Sequence, residues 1–416
     1  MSRAADPSAA GQPQRREWVV PFMRPDLPSF DAVAPGIEAI MRGGTLTKGE
    51  ELRRLEEEAR AALHTAHVIG VSSCTTGLML VLRALAALAA RRRGCAAGQA
   101  CPLPEPRGGG DSRDEVIVPS FIFLAAPAAV VWAGLRPVFV DVDPATFTVD
   151  PRAVVAALTP RTAAILACHT FGCPCDMAAL QAVADDAGVP LIVDAAHGLG
   201  ARRDGSQVGA GGLAQVFSLS PTKLVVAGEG GLVATSCACL ADMLRTGREY
   251  GNDGTYDCAA AGLNGRLPEI SALLARASLA RLDEVVARRT SAATAYVAAL
   301  EASGIGFQEI PAGCSSSWKD FCVAVDSDRC GIDREQMRRG LADHGVDTRA
   351  YYSPPCHRMQ AFRRFFPADA SLPVTDRLAD TLLALPMGAH VDADAARRVA
   401  AIIRDLLPLR TKGRLP

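Results

Sequence analysis

Lys223 stands in the stretch "FSLSPTKLVVAGEGG", Phe217 to Gly231, between a hydroxyl-bearing strand end and a run of glycines, with Glu229 as its nearest acid. A lysine without a salt-bridge partner can be a solvated loop charge or a phosphate clamp. Once desolvated, it can also be the amine that condenses with an aldehyde. Its own neighbourhood leaves all three open. Asp194 closes the apolar run "PLIVDA", and a carboxylate buried there needs a cation or hydrogen-bond donors. A protonated pyridine nitrogen would serve, and so would the N–H groups of a loop. The run Ser72-Ser73-Cys74-Thr75-Thr76 follows "HVIGV". A helix opening at Thr75 or Thr76 would offer free N–H groups and a positive dipole end to a phosphate; alternatively, Ser73 or Thr75 merely caps it.

These groups can meet only if the chain folds them to one edge. The β-branched runs "HVIGV", "EVIVPS", "PVFVDV", "AAILAC", "PLIVDA", "VFSLS" and "GLVATS" are separated mostly by helical patterns such as Thr76–Ala90 and Asp176–Ala187. Strands apolar on both sides and alternating with helices predict an α/β layer fold with a mostly parallel sheet, which binds ligands at the carboxyl ends of its strands. Arg266–Leu300 reads as one long, kinked helical stretch. After it come a strand, "FCVAVD", and helices near Arg334–His344 and Ala395–Leu407. The predicted organisation is a disordered tail over 1–16, a large domain over 17–286 and a small α+β domain over 287–416. Arg91–Arg113, rich in Gly, Pro and charge, reads as an inserted surface loop.

A chain of 416 residues with 49% hydrophobic residues can bury a large core, and a net charge of −1 gives no field to draw in nucleic acid or an anionic membrane. The most apolar run, Phe121–Leu135, contains Pro127 and is shorter than the roughly 20 residues of a membrane helix. Thirteen cysteines without a leader pattern suggest reduced thiols in a cytoplasm. Cys173/Cys175 and Cys237/Cys239 lack zinc-site spacing, so no metal is expected.

One cofactor accounts for the three groups together. Pyridoxal phosphate requires a lysine for its aldehyde, an acid for its ring nitrogen, a phosphate cup and an aromatic or apolar lid.

The blocks "DEVIVPSFIFLAAPAAVVWAGLRPVFVDVDPATFTVDP", "DMAALQAVADDAGVPLIVDAAHGLGA", "VFSLSPTKLVVAGEGGLVAT", "GLNGRLPEISA" and "YYSPPCHRM" occur in this order. The chain they span, from about Val20 to Leu407, resembles the DegT/StrS sugar aminotransferases within the fold-type I pyridoxal phosphate enzymes. The resemblance implies that Lys223 holds the internal aldimine and moves the proton, and that Asp194 keeps the pyridine nitrogen protonated. It places His197 near the ring's phenolic oxygen and Phe123 against the ring face; taken alone, each reads as a core residue. Cys74, Thr75 and Ser218 would bind the phosphate. Asn264 of "GLNGR", otherwise a loop or cap residue, would reach in from a second subunit of a homodimer. The family usually reads Ser-Gly-Thr at the cup, whereas Ser73-Cys74-Thr75 puts a side chain where glycine gives freedom.

The same resemblance implies an amino donor, L-glutamate or L-glutamine, with pyridoxamine phosphate between the half reactions and a keto-sugar as acceptor. Relatives that dehydrate sugars carry histidine in place of the lysine, so Lys223 points to transamination. The wording of "HTFGCPCDM", "SLSPTKLVVAGEGG" and "YDCAAAGLNGR" is similar to enzymes acting on dTDP-4-keto-6-deoxysugars in antibiotic pathways. Arg266, Tyr351, Tyr352 and His357 are candidate contacts to donor or sugar; hinge or interface packing is the competing role for the last three. The alternatives are an aminocyclitol aminotransferase acting on a scyllo-inosose-like ketone, and a cofactor-binding regulator without turnover.

Overall fold

The computed structural model of the chain describes residues 19–94, 113–258 and 260–408. The tail expected at Met1–Arg16 and most of the loop expected at Arg91–Arg113 lie outside them. The strands among the described residues are, in chain order, β1 His67–Val71, β2 Glu115–Pro119, β3 Arg136–Val140, β4 Thr162–Cys168, β5 Leu191–Asp194, β6 Arg202–Arg203, β7 Ser206–Gln207, β8 Ala214–Ser218, β9 Gly231–Thr235, β10 Gly306–Phe307, β11 Cys314–Ser315, β12 Phe321–Ala324 and β13 Leu382–Leu385.

One 7-stranded sheet runs in the order β1-β9-β8-β5-β4-β2-β3. From β8 through β5, β4 and β2 to β3 every pairing is parallel; β9 runs against both of its neighbours. The strands β2, β5, β8 and β9 are buried along their whole length, as the continuous apolar runs predict for a sheet covered on both faces. Pairing of Cys168 with Asp194, and of Asp194 with Val216, brings the ends of β4, β5 and β8 to one edge. Antiparallel β9 starts at that same edge, where Gly231 faces Val71 of β1 and Ser218 of β8.

The helix after β1 spans Cys74–Gly94, so it continues into the segment expected to be loop from Arg91 onward. Arginine is a good helix former, which lets the helix extend until composition turns to Gly and Pro. The stretch Arg266–Leu300 is two helices, Glu269–Leu279 and Leu282–Leu300, rather than one. The second of these helices passes from one core to another. Ala272, Ala275, Leu282 and Val285 pack under the large sheet, whereas Ala292, Ala293, Tyr296 and Leu300 belong to a second core.

That second core lies on a 3-stranded antiparallel sheet, β10-β12-β13, where Tyr296 stacks on Phe321 at 4.9 Å between ring centroids. The helix Ala393–Leu406, capped by the Asp392 carboxylate on the Ala395 N–H, completes it. The division we propose, 17–286 and 287–416, falls inside the helix Leu282–Leu300. A second tie is β11, which pairs with β6 in a small sheet of order β11-β6-β7. Among the described residues no helix is long and apolar enough to cross a membrane, and no group of His, Cys, Asp and Glu could hold a metal ion.

Candidate active site

A cavity of about 460 Å³ opens at the shared strand edge. Cys74 and Thr75 after β1, Phe123 after β2, Asp194 and His197 at the end of β5, and Ser218 and Lys223 after β8 all line it, together with Tyr351 and Tyr352. Residues separated by up to 278 positions in sequence meet because parallel strands deliver their carboxyl ends to one side.

At the cup, both readings of the hydroxyl run hold together. The Ser73 hydroxyl accepts the Thr76 N–H at 3.0 Å, and the Ser73 carbonyl accepts the Gly77 N–H at 3.0 Å, so Ser73 caps the helix. The Cys74 and Thr75 N–H groups have no acceptor among the described residues. They belong to the unpaired first turn of a helix and suit an oxyanion. Gly231 lies beneath them: a Cβ there would come within 2.6 Å of the Ser73 carbonyl carbon and 2.7 Å of the Cys74 nitrogen. The Cys74 side chain does not crowd the cup. Its thiol donates to the Val216 carbonyl at 3.4 Å and approaches Asp194 Oδ1 at 3.8 Å.

Asp194 is buried, and its Oδ1 also accepts the Ala196 N–H at 3.0 Å. Its Oδ2 has no donor among the described residues. Burial pushes its pKa up, partly offset by the Ala196 bond and the Lys223 charge. A cationic ring nitrogen placed there would relieve that desolvation.

Lys223 sits on a turn, its N–H donating to the Ser220 carbonyl at 3.0 Å. Burial lowers its ammonium pKa to about 8; the Lys319 charge adds to the effect, and Asp320 and Asp194 oppose it. A free amine is therefore accessible near neutral pH, as condensation with an aldehyde requires.

His197 accepts the Phe171 N–H on Nδ1 at 3.2 Å, so its remaining proton resides on Nε2, and burial drives its pKa well down. It can donate one hydrogen bond as a neutral ring. Phe123 is 53% exposed although it lines the cavity, so it is a lid rather than a core phenylalanine. Tyr351 and Tyr352 stack on Phe171 at 6.4 and 5.5 Å and form the opposite wall.

Three expected residues are not brought to this cavity. His357 is buried with both nitrogens engaged, Nδ1 with the Ser120 hydroxyl at 2.7 Å and Nε2 with Asp376 at 3.2 Å. There it joins the loop after β2 to Asp376 of the small unit and does not face this cavity. Arg266 pairs with Glu249 at 3.2 Å and lies over the Tyr250 ring. Asn264 is exposed, outside the cavity of its own chain.

Conversely, Lys319 and Asp320 line the cavity and were not anticipated. The signal was present as adjacent opposite charges at the mouth of an apolar strand, in "SSSWKDFCVAVD".

The residues fit pyridoxal phosphate: a desolvated amine, open N–H groups over a glycine, and a buried carboxylate with one oxygen free. Sheet and cavity together define a fold-type I pyridoxal-phosphate-dependent aminotransferase. Residues 32–404 match the DegT/DnrJ/EryC1/StrS aminotransferase family, and the chain belongs to it. It is 36% identical over 367 residues to the erythromycin biosynthesis sensory transduction protein EryC1 of Saccharopolyspora erythraea, covering 88% of this chain and 92% of that one. It is 35% identical over 371 residues to dTDP-3-amino-3,4,6-trideoxy-alpha-D-glucose transaminase of Streptomyces venezuelae, covering 89% and 90%. The crystal structure of DesI in the presence of its TDP-sugar product is similar with a TM-score of 0.80 and 34% identity, covering 92% of this chain and 91% of that one. The protein is a pyridoxal-phosphate-dependent sugar aminotransferase.

Proposed function

We propose that the protein moves an amino group from L-glutamate or L-glutamine to a nucleotide-linked 4-keto-6-deoxysugar in natural-product biosynthesis, working as a cytoplasmic homodimer. The observation that carries this reading is the convergence of Lys223, Asp194 and the Ser73–Thr75 turn on one cavity. When bound, the cofactor supplies a ring that withdraws electrons from the substrate carbon. Lys223 Nζ attaches the cofactor and, once released, carries the proton to and from the reacting carbon. Asp194 Oδ2 holds the ring nitrogen in its protonated form. The Cys74 and Thr75 N–H groups and the Thr75 and Ser218 hydroxyls hold the phosphate, joined by Asn264 of a second copy of this chain. His197 Nε2–H steadies the phenolic oxygen, and Phe123 covers the ring. Tyr351 and Tyr352 orient the sugar and close the cavity against water.

The choice of a nucleotide-linked sugar draws on the TDP-sugar product named with DesI and on the dTDP-sugar transaminase of S. venezuelae; the latter's name puts the amino group at carbon 3, so the 4-ketone rests on the sequence resemblance alone. The test is a panel of keto-sugar nucleotides and keto-cyclitols, each with glutamate and with glutamine, read by mass spectrometry. Amination of a nucleotide-linked 4-ketone supports the reading; turnover confined to a keto-cyclitol replaces it with an aminocyclitol aminotransferase. The name of the S. erythraea relative favours a regulator without turnover as a second reading. Specific DNA retention at low salt with no transamination would establish that one instead.

A further inference from the structure

The cavity wall opposite the strand edge carries a charge pair with no role in the chemistry described so far. Lys319 Nζ donates to Asp320 Oδ1 at 2.7 Å, and the two side chains are only 4% and 3% exposed. The segment that carries them is braced on several sides. Trp318 holds a left-handed backbone at φ 50°, a conformation that a bulky residue keeps only where its surroundings impose it. The guanidinium of Arg289, itself fully buried, donates to the Trp318 carbonyl at 3.1 Å and the Lys319 carbonyl at 3.0 Å. Ser317 donates its N–H to the Gly172 carbonyl at 3.2 Å and its hydroxyl to the His197 carbonyl at 2.7 Å. Gly172 has φ 100°, and a Cβ there would meet Ser317 Oγ at 2.2 Å.

A lysine ammonium has three N–H donors, and Lys319 spends one, on Asp320, among the described residues. Among the described residues, Lys319 and Lys223 are the cations that line the cavity, since His197 is neutral. Lys223 is committed to the aldehyde. Resting on the amino-acid donor proposed above, we infer that Lys319 is the anchor for the donor's α-carboxylate, with Asp320 as the counter-ion that holds the ammonium in place.

The chemistry of the two substrates supports this. An amino-acid donor carries its carboxylate on the reacting carbon itself, so the cation that receives it must line the same small cavity as Lys223. A nucleotide-linked sugar presents hydroxyls around its ketone, and its phosphates lie several atoms away. One cavity must therefore take an anion in one half reaction and an uncharged ring in the other. A lone buried ammonium would be left unpaired in the second, at a large desolvation cost. With Asp320 beside it, the ammonium stays paired throughout and lends its other N–H groups only when a carboxylate arrives.

The test uses the cofactor-loaded protein and two donor readouts. Calorimetry measures binding of 2-methyl-L-glutamate, which has the carboxylate but no α-hydrogen to lose. Steady-state kinetics measure KM for glutamate or glutamine and for the keto-sugar. Lys319→Gln is expected to weaken 2-methyl-L-glutamate binding and to raise donor KM by about ten- to a hundredfold. The sugar's KM should stay within about threefold, and Lys319→Arg, which keeps the charge, should recover most of the loss. Donor binding by Lys319→Gln equal to that of the wild type would overturn the assignment, as would equal rises in both KM values. Should Lys319→Gln fail to fold, Lys319→Met takes its place with the same outcomes: weaker donor binding with the sugar's KM unmoved supports the anchor, and donor binding equal to wild type overturns it. Failure of the keto-sugar reading would appear as an absence of amino-sugar product from the wild type and would leave the calorimetric donor constant untouched.

Discussion

The Cys74 thiol lies 3.8 Å from Asp194 Oδ1, the oxygen that also accepts the Ala196 N–H. Both recorded donors therefore hold one carboxylate oxygen and leave the other to a ligand. Asp194→Asn keeps the shape and an acceptor for Ala196 but removes the negative charge. The expected result is an unchanged melting temperature with kcat lower by about a hundredfold or more, since the charge acts on a dry site. A variant with near wild-type kcat would remove Asp194 from the proposed role.

Gly231 is where the cup touches the sheet. Gly231→Ala puts a Cβ within 2.6 Å of the Ser73 backbone, so the Cys74 and Thr75 N–H groups must move. Cofactor dissociation, followed by fluorescence titration of the stripped protein, should weaken by about tenfold or more. Affinity equal to wild type would mean that the phosphate binds elsewhere.

Lys223 sets the pH dependence of cofactor capture. Its pKa is lowered to about 8, from burial first and the Lys319 charge second, and only the free amine attacks an aldehyde. The neutral fraction grows as pH rises, so the rate constant for attachment of pyridoxal phosphate to stripped protein should climb nearly tenfold per unit below pH 8 and level off above it. Lys319→Gln removes a neighbouring cation and should move the bend upward. A rate that is flat between pH 6 and 8 contradicts this ionisation.

Asp26 ties the brace together through Arg289 Nη2 at 3.2 Å and through Arg288. Arg289 is fully buried, and desolvation lowers its pKa to about 10. Asp26→Leu leaves that guanidinium without its counter-ion, at an expected cost of about 3–5 kcal/mol in urea unfolding. Arg288→Leu should cost less than half as much, because Arg288 keeps 25% of its side-chain surface in water. Equal costs would refute the assignment of the brace to the buried pair.

The large sheet was readable because its strands are continuous apolar runs, each punctuated by the polar residue that closes it, as Asp194 closes β5 and Ser218 closes β8. Register did the rest. The break between the helices Glu269–Leu279 and Leu282–Leu300 was hidden, because Ala280 and Arg281 are ordinary helix formers. The direction of the Cys74 side chain was equally hidden: sequence registers a bulkier residue than glycine, not the Val216 carbonyl waiting to receive its thiol. Lys319 and Asp320 escaped notice because adjacent opposite charges usually lie in solvent, and their burial follows from a brace assembled from Asp26, Arg289 and Gly172.

The central claim is that Lys223 is the cofactor's covalent residue. Purified protein loaded with pyridoxal phosphate and treated with borohydride should carry the cofactor on one peptide, that of Lys223. Lys223→Ala should carry no fixed cofactor and show kcat lower by at least about a thousandfold, with phosphate-site binding still measurable by titration. A reduced adduct mapped to Lys319 or any other lysine, or full turnover by Lys223→Ala, would contradict the account.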